Sequence, residues 1–138
     1  MNIVYREGLP GKDDFVQLFE TTGWNDEGIR LSPGELYAAL QSTWYSVSAY
    51  DGSTLVGFGR VICDGYLHAL LAEIIVRPEY QGKHIGSTVV SKPVDKCNEH
   101  RIKDVQLFCA KGKAGFYEKH GFAARSAEGP GMELVRQG

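Results

Sequence analysis

The chain has 138 residues, with 15 Lys and Arg against 17 Asp and Glu, for a formal net charge of −2. That length suits one compact domain with its own core, since domains most often hold about 100–150 residues, and residues 1–138 are expected to form a single domain. The near-neutral balance argues against a dedicated nucleic-acid binder, which must neutralise phosphates, and no apolar run approaches the roughly 18 residues of a membrane span. The N-terminus, MNIVYREGLPGKDD, lacks a basic flank followed by an apolar stretch, so no signal peptide is expected. Cys63, Cys97 and Cys109 are odd in number and form no Cys-x-x-Cys pair. They suggest neither a metal site nor a disulfide framework, and they fit a reducing cytoplasm. Glycine, at 17 residues, marks turns or places where backbone approaches something closely.

In chain order, residues 2–6 read as a short strand with Ile3 and Tyr5 on one face. Residues 12–22 read as a helix with Phe15, Leu18 and Phe19 at helical spacing. A polar, Gly-rich stretch spans 23–31. Ser32-Pro33-Gly34-Glu35 then predicts a sharp helix start, with Ser32 as cap, Pro33 in the first turn and Glu35 closing a capping box; Leu36, Ala39 and Leu40 make its buried stripe. Residues 44–50 and 54–63 read as strands joined at Asp51-Gly52-Ser53, with a second turn at Asp64-Gly65. The nearly continuous apolar run 68–77 has the pattern of a strand buried on both faces, stopped by Pro78. Residues 85–99 read as a helix that Pro93 should kink. Residues 104–109 read as a strand, 113–120 as a short helix and 132–136 as a last strand. Cys63 and Cys109 fall in strands and are expected to be buried. The order β-α-α-β-β-β-α-β-α-β predicts a mixed α/β sheet with hairpins first and a crossover in the second half.

The chemistry concentrates where the buried strand ends. Val76-Arg77-Pro78-Glu79-Tyr80-Gln81-Gly82-Lys83-His84-Ile85-Gly86-Ser87 runs from strand through a glycine-bearing loop into a helix. Free N–H groups and the helix dipole make such a point an anion site, although the same pattern also suits an ordinary strand-to-helix turn. Neither Gly-x-x-x-x-Gly-Lys-Ser/Thr nor Gly-x-Gly-x-x-Gly occurs, which excludes two familiar phosphate loops. Glu73 is a carboxylate in the apolar run L-L-A-E-I-I-V. It reads either as a base, since a carboxylate in apolar surroundings is more basic than one in water, or as the partner of a cation. Tyr117 reads either as a proton donor or as a core residue packing its short helix.

The segment P-E-Y-Q-G-K-H-I-G-S resembles the acetyl-CoA pyrophosphate loop of the GCN5-related N-acetyltransferases (the GNAT superfamily), whose pattern is Arg/Gln-x-x-Gly-x-Gly/Ala. Here it reads Gln81-x-x-His84-x-Gly86. Downstream, Ala114-Gly115-Phe116-Tyr117-Glu118-Lys119-His120-Gly121-Phe122 resembles the family's second signature. The two lie in the family's order, and the element order of nearly the whole chain is similar as well. One departure stands out: His84 occupies the first motif glycine. In a helical conformation it can still offer its N–H; at positive φ a histidine is tolerated better than most residues, at a cost.

The resemblance implies a GNAT-like fold, a central mixed sheet flanked by helices, with acetyl-CoA as cosubstrate. Backbone groups at Ile74, Ile75 and Val76 would pair with the pantetheine arm, and an N–H near Ile75 or Val76 would meet the acetyl carbonyl. Gln81, Gly82, Lys83, His84, Ile85, Gly86 and Ser87 would hold the pyrophosphate, with Phe116 and Tyr117 beside the cofactor. Tyr117 would protonate the leaving CoA thiolate, a phenol near about 10 serving a thiol near about 8.5, and Glu73, or a water it holds, would deprotonate the amine. The acceptor would lie between residues 23–31 and the loop from Arg125 to Gly131, with Trp24, Arg30, Tyr37, Trp44 and Arg125 as lining candidates. The implied activity is N-acetylation of a primary amine of a small molecule or peptide by direct transfer in a ternary complex. The alternative is a non-catalytic acyl-CoA sensor or interaction module on the same fold. No nucleic acid or membrane partner is expected; homodimers are common for such folds.

Overall fold

A computed structural model describes residues 1–136. Along the chain run β1 (Ile3–Glu7), α1 (Lys12–Glu20), α2 (Pro33–Ala39), β2 (Tyr45–Asp51), β3 (Thr54–Cys63), β4 (His68–Val76), α3 (Ile85–Glu99), β5 (Asp104–Leu107) and α4 (Ala114–Glu118). Short 3-10 turns occupy Leu40–Ser42 and Pro78–Tyr80. Two compact units result: Met1–Phe108, and a smaller one beginning at Cys109.

The first unit is a mixed five-stranded sheet in the order β1-β2-β3-β4-β5. The first four strands are antiparallel neighbours and β5 runs parallel to β4. Local chemistry sets the elements. Ser32 Oγ accepts from the Glu35 N–H at 3.2 Å while Glu35 Oε1 accepts from the Ser32 N–H at 2.9 Å, the reciprocal cap that starts α2. Asp64 Oδ1 accepts from the N–H groups of Tyr66, Leu67 and His68, closing the turn between β3 and β4. Against one face of the sheet α1, α2 and the turn after α2 bury Phe15, Leu18, Leu36 and Leu40 with Leu55, Phe58 and Ile75. Against the other, Ile85 and Val89 of α3 pack on Val47, Ala49 and Val56. α3 continues through Pro93, whose ring is fully buried.

Two glycines of β3 set how closely α3 approaches. A Cβ on Gly57 would come within 2.8 Å of Ile85 Cγ2, and one on Gly59 within 2.5 Å of the Val89 carbonyl oxygen. Helix backbone thus lies directly on strand backbone, which fixes the start of α3 beside the end of β4.

In the second unit, α4 closes at Gly121 (φ 90°), where the Phe122 N–H donates to the Tyr117 carbonyl at 3.2 Å. The strand expected over 132–136 does not form. Those residues are irregular, and Met132, Leu134 and Val135 are exposed. The pattern M-E-L-V-R is compatible with a strand, but a strand needs a partner edge, and among the described residues it has none. Cys109 is also corrected: β5 ends at Leu107, and Cys109 is exposed, while Cys63 is half-buried. No helix among the described residues is long and apolar enough to cross a membrane.

Replacing Gly59 with Ala should cost about 1–3 kcal/mol, because the added methyl meets rigid helix backbone. Urea unfolding should show a lower midpoint with an unchanged slope.

Candidate functional site

β4 parts from β5 partway along. It pairs with β5 only from His68–Asp104 to Leu71–Leu107. From Ala72 to Val76 it has β3 on one side and, among the described residues, no strand on the other. The Arg77 N–H donates to the Val56 carbonyl at 2.8 Å. Hydrogen bonding alternates along an antiparallel strand, so the N–H and C=O of Val76 point to the open edge. Gln81 Nε2 reaches that carbonyl at 3.2 Å. Ile75 stands opposite Phe58 and packs in the core on the α1 side, whereas Ile74 packs on the α3 side.

At the point of divergence β4 carries a bulge. Phe58 faces Ile75 and Arg60 faces Ala72, so Glu73 and Ile74 together oppose Gly59. Glu73 has φ 49°, a left-handed conformation that costs an L-residue about 1–2 kcal/mol. Its carboxylate is held from β3: Arg60 Nε donates to Glu73 Oε1 at 2.6 Å. Arg60 Nη1 also donates to the Ala39 carbonyl at 3.1 Å and to Thr43 Oγ1 at 3.3 Å. Glu73 thus has a cation partner through one carboxylate oxygen.

The loop after β4 is tethered at several points. Arg77 Nε donates to the Leu55 carbonyl at 2.9 Å, and the Tyr80 hydroxyl donates to Asp51 Oδ2 at 2.6 Å. That bond, more than desolvation, holds the Tyr80 phenol above its ordinary range. Gly82 (φ 78°) and His84 (φ 66°) are both left-handed, and His84 is the residue that caps α3. The conformation at His84 is therefore the positive-φ one, in which a glycine would be free of strain. Among the described residues the N–H groups of Gly82, Lys83, His84, Ile85, Gly86 and Ser87 have no hydrogen-bond partner. These six donors follow one another into the N-terminus of α3, where free N–H groups and the helix dipole suit an anion.

Tyr117 sits on α4 in the second unit, half-buried, its ring 5.0 Å from Phe116 and 6.2 Å from Phe122 between centroids. Burial pushes its phenol above the ordinary value of 10, and the Cys109 thiol adds to the rise.

The other candidates are divided. Trp24 is 52% exposed and lies edge-on to Phe19, on a loop that Asn25 clasps through two bonds to the Leu31 backbone. Arg30 is exposed on the same loop. Tyr37 instead joins the core and donates to the Pro10 carbonyl at 2.8 Å. Trp44 packs edge-on against His100, and Arg125 Nε is engaged by the Gly129 carbonyl. Arg60, Arg77 and Tyr80 escaped the sequence reading. The signal for Arg60 was present, as the one charge in the run T-L-V-G-F-G-R-V-I-C beside the one charge in L-L-A-E-I-I-V.

The family model for the acetyltransferase (GNAT) domain matches residues 42–124. GCN5-related N-acetyltransferase 2, chloroplastic, of Arabidopsis thaliana is 33% identical over 127 residues, covering 80% of this chain and 49% of that protein. The chain spans between 49% and 63% of the length of three curated relatives that it matches. Among solved structures, a GNAT-family acetyltransferase of Streptococcus pneumoniae superposes with a TM-score of 0.80 at 25% identity, over 99% of this chain and all of the other. An acetyltransferase of Clostridium acetobutylicum, described with acetyl-CoA, superposes with a TM-score of 0.70 at 18% identity, over 97% of this chain and 96% of that one.

His84→Gly should stabilise the fold by about 0.5–1 kcal/mol, the relief of left-handed strain exceeding the added chain entropy. Thermal unfolding should show a Tm higher by a few degrees, and a fall instead would mean that the imidazole makes stabilising contacts.

Proposed function

The chain belongs to the GNAT acetyltransferase family, and we propose that it transfers an acetyl group from acetyl-CoA to a primary amine of a small molecule or peptide, directly, in a ternary complex. The observation that carries this reading is the open edge of β4 leading into a loop with six free N–H groups. An edge strand accepts an extended amide-bearing chain as if it were another strand, and a helix N-terminus accepts phosphates. A pantetheine arm followed by a pyrophosphate has these two parts in this order. The C. acetobutylicum structure with acetyl-CoA supports the same cosubstrate by likeness of fold.

When bound, acetyl-CoA supplies a thioester, an acyl group activated toward attack by an amine. Val76 offers its N–H at the open edge as a donor to the carbonyl oxygen on which charge develops. Ile74 and Ile75 line the strand on either face, and Gln81 to Ser87 hold the diphosphate. The oxygen of Glu73 that Arg60 leaves free receives the amine and takes its proton, directly or through a water it holds. The new C–N bond forms as the C–S bond breaks, and Tyr117 gives its proton to the departing sulfur. Phe116 supports that ring. The three unpaired cysteines suit a reducing compartment such as the cytoplasm.

Calorimetry should show acetyl-CoA binding, and amine-dependent release of CoA thiol should follow on screening small amines and peptides. No heat of binding at millimolar acetyl-CoA would overturn the reading. Tyr117→Phe should lower kcat by about 10²-fold while leaving acetyl-CoA affinity unchanged. A phenol raised above its ordinary range keeps its proton to higher pH than a free tyrosine would, so the alkaline fall in kcat should lie above the one an unperturbed phenol gives. Tyr117→Phe should abolish that alkaline limb.

A further inference from the structure

Arg60 stands in an apolar strand with its side chain only 8% exposed. Its guanidinium donates in three directions, to Glu73 Oε1, the Ala39 carbonyl and Thr43 Oγ1. A largely buried guanidinium is costly without partners, so Nε and Nη1 depend on these three bonds together. The partners belong to three separate parts of the first unit: the bulge of β4, the last residue of α2, and the residue after the Leu40–Ser42 turn. Glu73 differs from its partner in access. Its side chain is 23% exposed, and its Oε2 accepts no hydrogen bond among the described residues. The carboxylate is the more exposed member of the pair, and the cation behind it is largely enclosed.

We propose that Arg60 is a positioning residue for amine acetylation. It locks the Glu73 carboxylate and the C-terminal end of α2 into one geometry, so that the free carboxylate oxygen meets the incoming amine in a single direction. The proposal rests on the transfer reading above. An unrestrained glutamate would sample several rotamers; a short charge-assisted bond to one oxygen leaves the other with a defined heading. Arg60 is too enclosed to touch substrate, and it acts through Glu73. A lysine would keep the charge but lose the fork that reaches β4 and α2 together.

The test compares Arg60→Lys with the unmodified protein, using acetyl-CoA and whichever amine supports thiol release. Acetyl-CoA affinity should be unchanged, and kcat/KM for the amine should fall by about tenfold or more, since small misplacements of a reacting geometry are costly. In a Glu73→Gln background the same substitution should bring no further loss. If Arg60→Lys folds poorly, Thr43→Val removes one acceptor of Nη1 and should reproduce the selective loss at about threefold. Losses that multiply in the double variant would overturn the proposal, as would equal losses for both substrates, the result of general loosening. Failure of the unmodified protein to bind acetyl-CoA would overturn the transfer reading and this proposal with it, and it is seen before any variant is made.

Discussion

The close approach of α3 to β3 is the constraint from which the rest of the first unit follows. Gly57 and Gly59 leave no side chain between helix and strand, so Ile85 and the Val89 carbonyl rest against β3 itself. With α3 seated there, the chain leaving β4 has only the short path from Arg77 to His84 in which to turn. That path needs left-handed residues, and Gly82 and His84 supply them. The row of free N–H groups at the start of α3 is a product of the tight turn, and its place at the end of β4 is a product of the two glycines.

Gly59 has a second role on the opposite strand. It stands across from Glu73 and Ile74, the two residues of the bulge. The bulge turns the Glu73 side chain to the α1–α2 face while Ile74 stays on the α3 face. One glycine therefore admits the helix on one side and the irregularity that separates β4 from β5 on the other. Packing and the divergent strand edge are one geometric solution.

The sequence discloses the features set by neighbouring residues. The Ser32–Glu35 box, the Asp64 turn, the stop at Pro78 and the start of α3 all rest on contacts a few residues apart, and each stands where its residues suggest. Features set by distant partners are not disclosed in this way. Residues 132–136 alternate like a strand, yet alternation supplies no neighbour. Cys109 follows an apolar run whose pairing stops at Leu107. The bulge at Glu73 exists only in relation to β3, and nothing in L-L-A-E-I-I-V announces a left-handed glutamate. His84 was legible as a departure from a motif, but its backbone conformation was not, because histidine fits both alternatives. Arg60 is the intermediate case: its isolation among apolar residues is visible in the chain, while its three partners become visible only with the strands in register.

The enclosed ion pair also has a thermal side. The hydration of charged groups becomes less favourable as temperature rises, so the penalty for holding Arg60 and Glu73 away from water shrinks on warming. Hydrophobic stabilisation per unit area levels off over the same range. The tie between the β4 bulge and α2 thus gains weight relative to the two apolar cores as the chain warms. Near the upper end of its folded range, the neighbourhood of Glu73 is held more by charge, and less by apolar packing, than it is in the cold.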